Sequence, residues 1–186
     1  HDMYEKNEFE MIDEDTDIKM YNYTINYLKD NGYNQYEISN YSKSGFECNH
    51  NILYWKCNHY IGLGPGASGY INNYRYNNLE SLNLYRNGLN VKEIEKLLNN
   101  EKPIDFIDEL TIEDKIQEKK FMGLRMNEGI KFIEFKDEFD LDFKLRFKDV
   151  LKRLKENKLI IEDEFGIKLT QDGREISNSV FIEFMN

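Results

Sequence analysis

The residues whose types and spacing suit chemistry fall in one stretch, 48–67. Cys48-x-His50 and Cys57-x-His59 bring four soft or borderline ligands close together, a set able to hold zinc. Structural zinc sites usually space their ligands as CxxC or HxxxH, so that a turn or helical step delivers both to one ion. A C-x-H pair fits that less well, and two ordinary thiols in a reducing compartment are the alternative. Gly62-Leu63-Gly64-Pro65-Gly66-Ala67 matches G-x-G-x-x-A, with Glu80 at a tolerable distance for a dinucleotide fingerprint. Pro65 removes a backbone donor, however, and Ser68 to Asn77 does not read as the helix that fingerprint needs. Two readings of the glycines stay open: a backbone that approaches a flat ligand closely, or a tight turn with left-handed residues. Finally, His50-Asn51-Ile52-Leu53-Tyr54-Trp55 on a short helix sets His50 and Tyr54 on one face at i, i+4, with Asn51 able to cap or orient and Trp55 offering a broad apolar surface. An imidazole beside aromatic walls is what an axial haem site needs. A satisfied core histidine looks the same.

Elements must hold these groups in place. Ile18, Tyr21, Ile25 and Leu28 recur at helical spacing, which predicts a helix over 14–31 stopped by Asn31-Gly32. Residues 36–39 read as a short strand, 42–47 as a loop, 49–55 as a helix and 60–63 as a strand entering the glycine turn. The segment 70–76 suits a hairpin, because Asn72-Asn73 tolerates the positive φ of tight turns. A helix is expected over 79–85, ending at Gly88. Beyond residue 90 glycines thin out and helical spacing dominates: 91–99, 111–126 capped by Thr111, 130–139 and 143–157. A hairpin over 159–163 and 166–169, then a helix from Thr170 to about Phe184, completes a winged-helix order. The domain boundary is expected within 88–110, with Pro103 in a linker.

The composition suits a globular chain: 186 residues, 40% hydrophobic and 32% charged, with a net charge of -10. That charge argues against non-specific nucleic-acid binding by the whole surface. It is uneven, since residues 1–17 are strongly acidic and 142–158 carry Lys144, Arg146, Lys148, Lys152, Arg153, Lys155 and Lys158. No apolar run is long enough to span a bilayer. No signal peptide is visible and two cysteines make no disulfide framework, so a cytoplasmic location is expected. The opening His1-Asp2-Met3 is expected to be an appended stretch, and the chain reads as the back portion of a larger protein.

Three motifs taken together carry more than any one alone. Tyr36-Glu37-Ile38-Ser39-Asn40, His50-Asn51-Ile52-Leu53-Tyr54-Trp55 and Tyr60-Ile61-Gly62-Leu63-Gly64-Pro65-Gly66-Ala67 resemble, in this order, the radical S-adenosylmethionine family of oxygen-independent coproporphyrinogen III oxidase-like proteins. The HNxxYW element looks like that of the HemW-type haem chaperones within it. Arg75 and Asn77, then Leu124-Arg125 before Gly129-Ile130, follow in the family's order. The resemblance runs from about residue 14 to the end.

It implies a fold that is α/β followed by all-α. Residues 4–88 would be the last part of an incomplete (βα)6 barrel, and 89–186 a HemN-type helical, winged-helix-like domain. Tyr60 to Ala67 would be the final barrel strand, with Gly64, Gly66 and Ala67 near the adenine side of bound S-adenosylmethionine. His50 would be the haem contact, with Asn51, Tyr54 and Trp55 completing the motif. The family's CxxxCxxC loop, whose three thiolates hold a [4Fe–4S] cluster, is absent from this sequence. The parent is therefore expected to carry cluster and S-adenosylmethionine, and this chain alone to be inactive as an enzyme. Open barrel edges are a further expectation.

The resemblance favours a haem chaperone fragment that binds haem or porphyrin through HNxxYW, its parent serving haem-accepting membrane proteins of respiration. A true coproporphyrinogen III oxidase, which decarboxylates propionate side chains oxidatively, is the alternative within the family. A winged-helix interaction module, binding nucleic acid or an acidic surface through the basic 144–158 face, is the alternative of another class. A solvated helix face balancing an acidic body is the favoured explanation of that charge, and no nucleic-acid partner is expected.

Overall fold

A computed structural model describes residues 12–88 and 104–185. The expected helix over 91–99 and Pro103 lie outside the described residues. Helix α1 (Glu14–Asp30) starts at Asp13, whose carboxylate accepts hydrogen bonds from the Thr16 amide at 2.9 Å and the Thr16 hydroxyl at 2.7 Å. None of its residues is buried. Strands β1 (Asn34–Gln35) and β2 (Tyr41–Ser42) pair antiparallel around a tight bend. The expected strand over 36–39 is therefore that bend, because Glu37 folds its carboxylate back onto the Ser39 amide and the Asn40 side chain. Helix α2 (Asn49–Trp55) follows, then the glycine-rich turn.

Strands β3 (Ser68–Ile71) and β4 (Tyr74–Asn78) form the expected hairpin, with Asn72 at φ 54° in its turn. Helix α3 (Leu82–Gly88) starts three residues later than the spacing suggested and ends at the expected Gly88. Strand β5 (Ile104–Glu109), which the sequence reading did not anticipate, completes an antiparallel sheet in the order β3–β4–β5. This sheet therefore joins residues on both sides of the expected 88/89 boundary.

Helix α4 (Ile112–Arg125) begins at a capping box: Thr111 and Asp114 each bond the other's backbone amide. Strand β6 (Ile130–Lys131) leads directly into α5 (Phe132–Phe139), then α6 (Phe143–Arg146) and α7 (Lys148–Glu156). The helix expected over 143–157 is two pieces, broken at Phe147. Strands β7 (Ile160–Glu162) and β8 (Gly166–Leu169) form the expected hairpin, and β6 adds a third strand in the order β6–β8–β7. Thr170 caps α8 (Gln171–Glu175) and α9 (Ser177–Glu183) ends the ordered elements, so the last expected helix is also divided, at Ile176.

Among the described residues the apolar core belongs to the second half. Ile116, Leu124, Phe135, Phe143, Leu154, Ile167 and Val180 are all essentially inaccessible, and each such side chain contributes roughly 1.5–3 kcal/mol of transfer free energy. Residues 12–88 contribute no member to that buried cluster. The basic stretch 142–158 is largely paired. Lys144 and Lys155 reach Glu162, Arg146 grips both oxygens of Glu113 at 2.7 and 2.8 Å, and Arg153 holds Glu183 at 2.8 Å. Such internal pairing leaves fewer cations for phosphate.

Candidate functional site

Helix α2 is short, and its first residues project outward. His50 and Tyr54 share a face as their spacing requires, with the Tyr54 hydroxyl 2.9 Å from His50 Nε2 and ring centroids 4.7 Å apart at 81°. Tyr60 continues the row edge-on to Tyr54, at 4.4 Å. The Tyr60 backbone is fixed by two hydrogen bonds to Tyr70, at 2.8 and 2.9 Å, so the aromatic row rests on β3. His50 is exposed, so it is not a core histidine. Exposed apolar side chains cluster in the same stretch of chain: Phe46, Leu53, Ile61 and Leu63, with Phe46 and Leu63 80% and 83% accessible. Asn51 lies one residue on and is half-buried.

Trp55 has different company. Its indole stacks under the Arg125 guanidinium, 4.5 Å from the ring centroid. Arg125 Nη2 lies 3.5 Å from Oε2 of the fully buried Glu37. The next residue, Lys56, pairs with Glu128 at 2.9 Å. The C-terminal end of α2 thus faces the end of α4, while its N-terminal end carries His50 outward.

The glycine-rich turn is built for close backbone approach. A Cβ on Gly62 would sit 2.2 Å from the Ser68 carbonyl, and Gly64 and Gly66 adopt φ 102° and 68°. Its polar backbone is satisfied by side chains more than by a ladder. The Gly62 amide donates to the Tyr76 hydroxyl at 3.2 Å and the Gly64 amide to Tyr85 at 3.1 Å. Asn78 donates to the carbonyls of Gly62 and Gly64 at 3.1 and 2.9 Å. The strand expected over 60–63 is consequently one bridge, Tyr60 to Tyr70, followed by irregular chain. A strand, β3, and not a helix follows the turn, which removes the dinucleotide reading.

The cysteines do not assemble a metal centre. Cys48 is exposed, whereas burial pushes the Cys57 thiol up to about 11, which keeps it protonated near neutrality. Among the described residues no three His, Cys, Asp or Glu side chains converge as metal ligands.

Sequence reasoning placed His50, Asn51, Tyr54 and Trp55 on one helix and Gly64, Gly66 and Ala67 in one turn, and the structure shows both. It did not single out Asn78, Glu118 or the Glu37 carboxylate, whose partners are distant in sequence. Arg75, for example, reaches Glu118 at 2.7 Å and lies 5.2 Å from the Tyr70 ring, tying β4 to α4. No local spacing announces such pairs.

Comparison with known proteins gives a consistent family signal. Residues 110–176 match the HemN C-terminal domain. The chain is 37% identical over 172 residues to a protein of Lactococcus lactis named heme chaperone HemW, covering 92% of this chain and 43% of that one. It is 31% identical over 185 residues to the heme chaperone HemW of Bacillus subtilis, covering 100% of this chain and 47% of the other. The chain therefore spans less than half the length of these relatives. Among solved structures, the coproporphyrinogen III oxidase HemN of Escherichia coli, described as a radical SAM enzyme, superposes with a TM-score of 0.62 at 19% identity, covering 88% of this chain and 39% of that one.

Proposed function

We propose that the chain belongs to the HemW-like group of the HemN family and supplies the haem-facing wall of a haem chaperone. The observation that carries this reading is the outward His50, backed by the Tyr54–Tyr60 row and set in a stretch rich in exposed apolar side chains. Haem needs these things: an imidazole nitrogen for iron and apolar surface for the macrocycle. Tyr54 occupies Nε2, which fixes the ring and leaves Nδ1 as the nitrogen without that bond. Asn51 and Trp55 complete the helix that presents it. In the longer parent, residues 4–88 serve as the last part of an incomplete (βα)6 barrel and 89–186 as its winged-helix-like domain.

In such a barrel Gly64, Gly66 and Ala67 face the adenine side of S-adenosylmethionine. Their amides already donate to Tyr85, Leu79 and Gly64, so the turn meets a ligand with its unsubstituted backbone surface. An iron–sulfur cluster does not fit this chain: it has two cysteines, and the Cys57 thiol is held protonated. Cluster chemistry therefore belongs to other parts of the parent. A cytoplasmic protein that hands haem to membrane proteins of respiration is the setting this reading implies. No helix among the described residues is long and apolar enough to cross a membrane. The test is a haem titration followed in the Soret region, on this chain and on His50→Ala. An axial ligand is worth at least what its outer partners are, so affinity falls by roughly 10- to 100-fold; equal affinity for both chains contradicts the reading.

A further inference from the structure

We propose that Arg125 is a positioning residue for haem capture: stacked on Trp55 and anchored by the buried Glu37, it locks the His50 helix to the domain that begins at residue 110. This rests on the haem reading above. Trp55 sits at the end of α2, and its ring lies against Arg125 and not against the His50–Tyr54 face. On a helix, residue 55 is about 140° around the axis from residue 50, so the two side chains cannot serve one ligand face equally. The motif's tryptophan therefore works on the opposite side, as the helix's attachment.

The anchor is an ion pair, with Arg125 Nη2 3.5 Å from Glu37 Oε2 and no hydrogen bond between them. Glu37 is inaccessible to solvent, and a buried carboxylate needs partners. It accepts from the Ser39 amide at 3.0 Å and from the Asn40 side chain, and Arg125 supplies the compensating charge. The backbone repeats the link. The Ile38 amide donates to the Arg125 carbonyl at 3.1 Å, and the Asn127 amide to the Tyr36 carbonyl at 3.2 Å. Lys56 and Glu128 close the same joint on its outer side. The end of α4, the 34–42 bend and the end of α2 thus meet at one guanidinium. A tilt there would be amplified at His50, at the other end of the helix.

Trp55 is the sequence's single tryptophan, so its emission reports directly on the joint. Haem titrations of the chain, Arg125→Lys, Arg125→Ala, Trp55→Phe and His50→Ala, each with its melting temperature, decide the matter. Arg125→Lys keeps a charge for Glu37 but loses the planar stack. We expect it to red-shift Trp55 emission, move the Soret band of the haem-saturated chain and weaken haem binding roughly tenfold. Trp55→Phe keeps an aromatic face for the guanidinium, though a weaker one, and should weaken haem binding less than Arg125→Lys does. If Arg125→Ala does not fold, the Lys and Phe variants carry the comparison alone. A native Soret band and Kd in Arg125→Lys, with only its melting temperature lowered, overturn the proposal provided that His50→Ala loses haem. Should His50→Ala bind haem as the unaltered chain does, the underlying reading fails instead.

Discussion

Lys120 shows how a single side chain can be costly and still be held in place. Its residue surface is 1% accessible, its amine donates to the Phe184 carbonyl at 2.8 Å, and it lies 4.4 Å from the centroid of the Phe147 ring. Burial lowers its pKa from 10.5 to about 8; nearby Glu113 opposes the shift and Arg146 reinforces it. Between those values the unfolded chain holds more protons than the folded one, so stability rises with pH through that window. The cost of burying the cation is fully present below about pH 8 and is relieved on the way to 10.5. Urea unfolding of the chain and of Lys120→Met at several pH values checks this. The stability of the unaltered chain should gain on the variant between about pH 8 and 10.5, and a constant difference would refute the burial argument. Nothing in the sequence marks Lys120, because it stands among other charged residues on α4 and is buried only when α9 packs across it. Glu37 is hidden for the same reason: a carboxylate in a bend looks solvated until Arg125 arrives from far along the chain.

Elements with strong local signals were legible, and those governed by packing were not. Thr111, with Glu113 and Asp114 after it, announced the start of α4, and the structure adds the reciprocal bond from Asp114. Replacing Thr111 by Ala should cost about 1 kcal/mol. For a chain of this size that is a fall of roughly 2–4 °C in melting temperature, measurable by circular dichroism. The Asn72-Asn73 hairpin and the 159–169 hairpin were equally readable, since turn chemistry is local. The breaks at Phe147 and Ile176 were not. Apolar periodicity continues through both positions, and at Phe147 it is the aromatic packing of Phe143, Phe147 and Phe184, with centroids 4.8 to 6.2 Å apart, that accompanies the bend. Strand β5 was missed because its pairing partner β4 lies across the segment between the two halves. The 60–63 strand was over-read. Its apolar residues alternate with glycines, and Tyr76, Tyr85 and Asn78 satisfy the backbone instead.

At the scale of the molecule, the two halves divide the work unevenly. The second half holds the buried cluster, including the aromatic stack around Phe135 and Phe143. The first half carries His50, the glycine turn and much exposed apolar surface, and it is tied to α4 through Arg75–Glu118 and the Trp55–Arg125 stack, and to the turn after α4 through Lys56–Glu128. Core and site are thus separate, and the site takes its position from the core. By its spacing alone the HNxxYW block favoured core packing over ligand contact. Its neighbours in sequence tipped the reading toward a ligand, and His50 is exposed in this chain. Ligation of haem iron by His50 is tested most directly by electron paramagnetic resonance of the ferric haem complex of this chain, His50→Ala and Cys48→Ser. Cys48, exposed two residues before His50, is the competing donor. An imidazole signature in the unaltered chain and in Cys48→Ser, lost in His50→Ala, is the predicted result. A thiolate signature lost in Cys48→Ser, or a spectrum unchanged in His50→Ala, would contradict it.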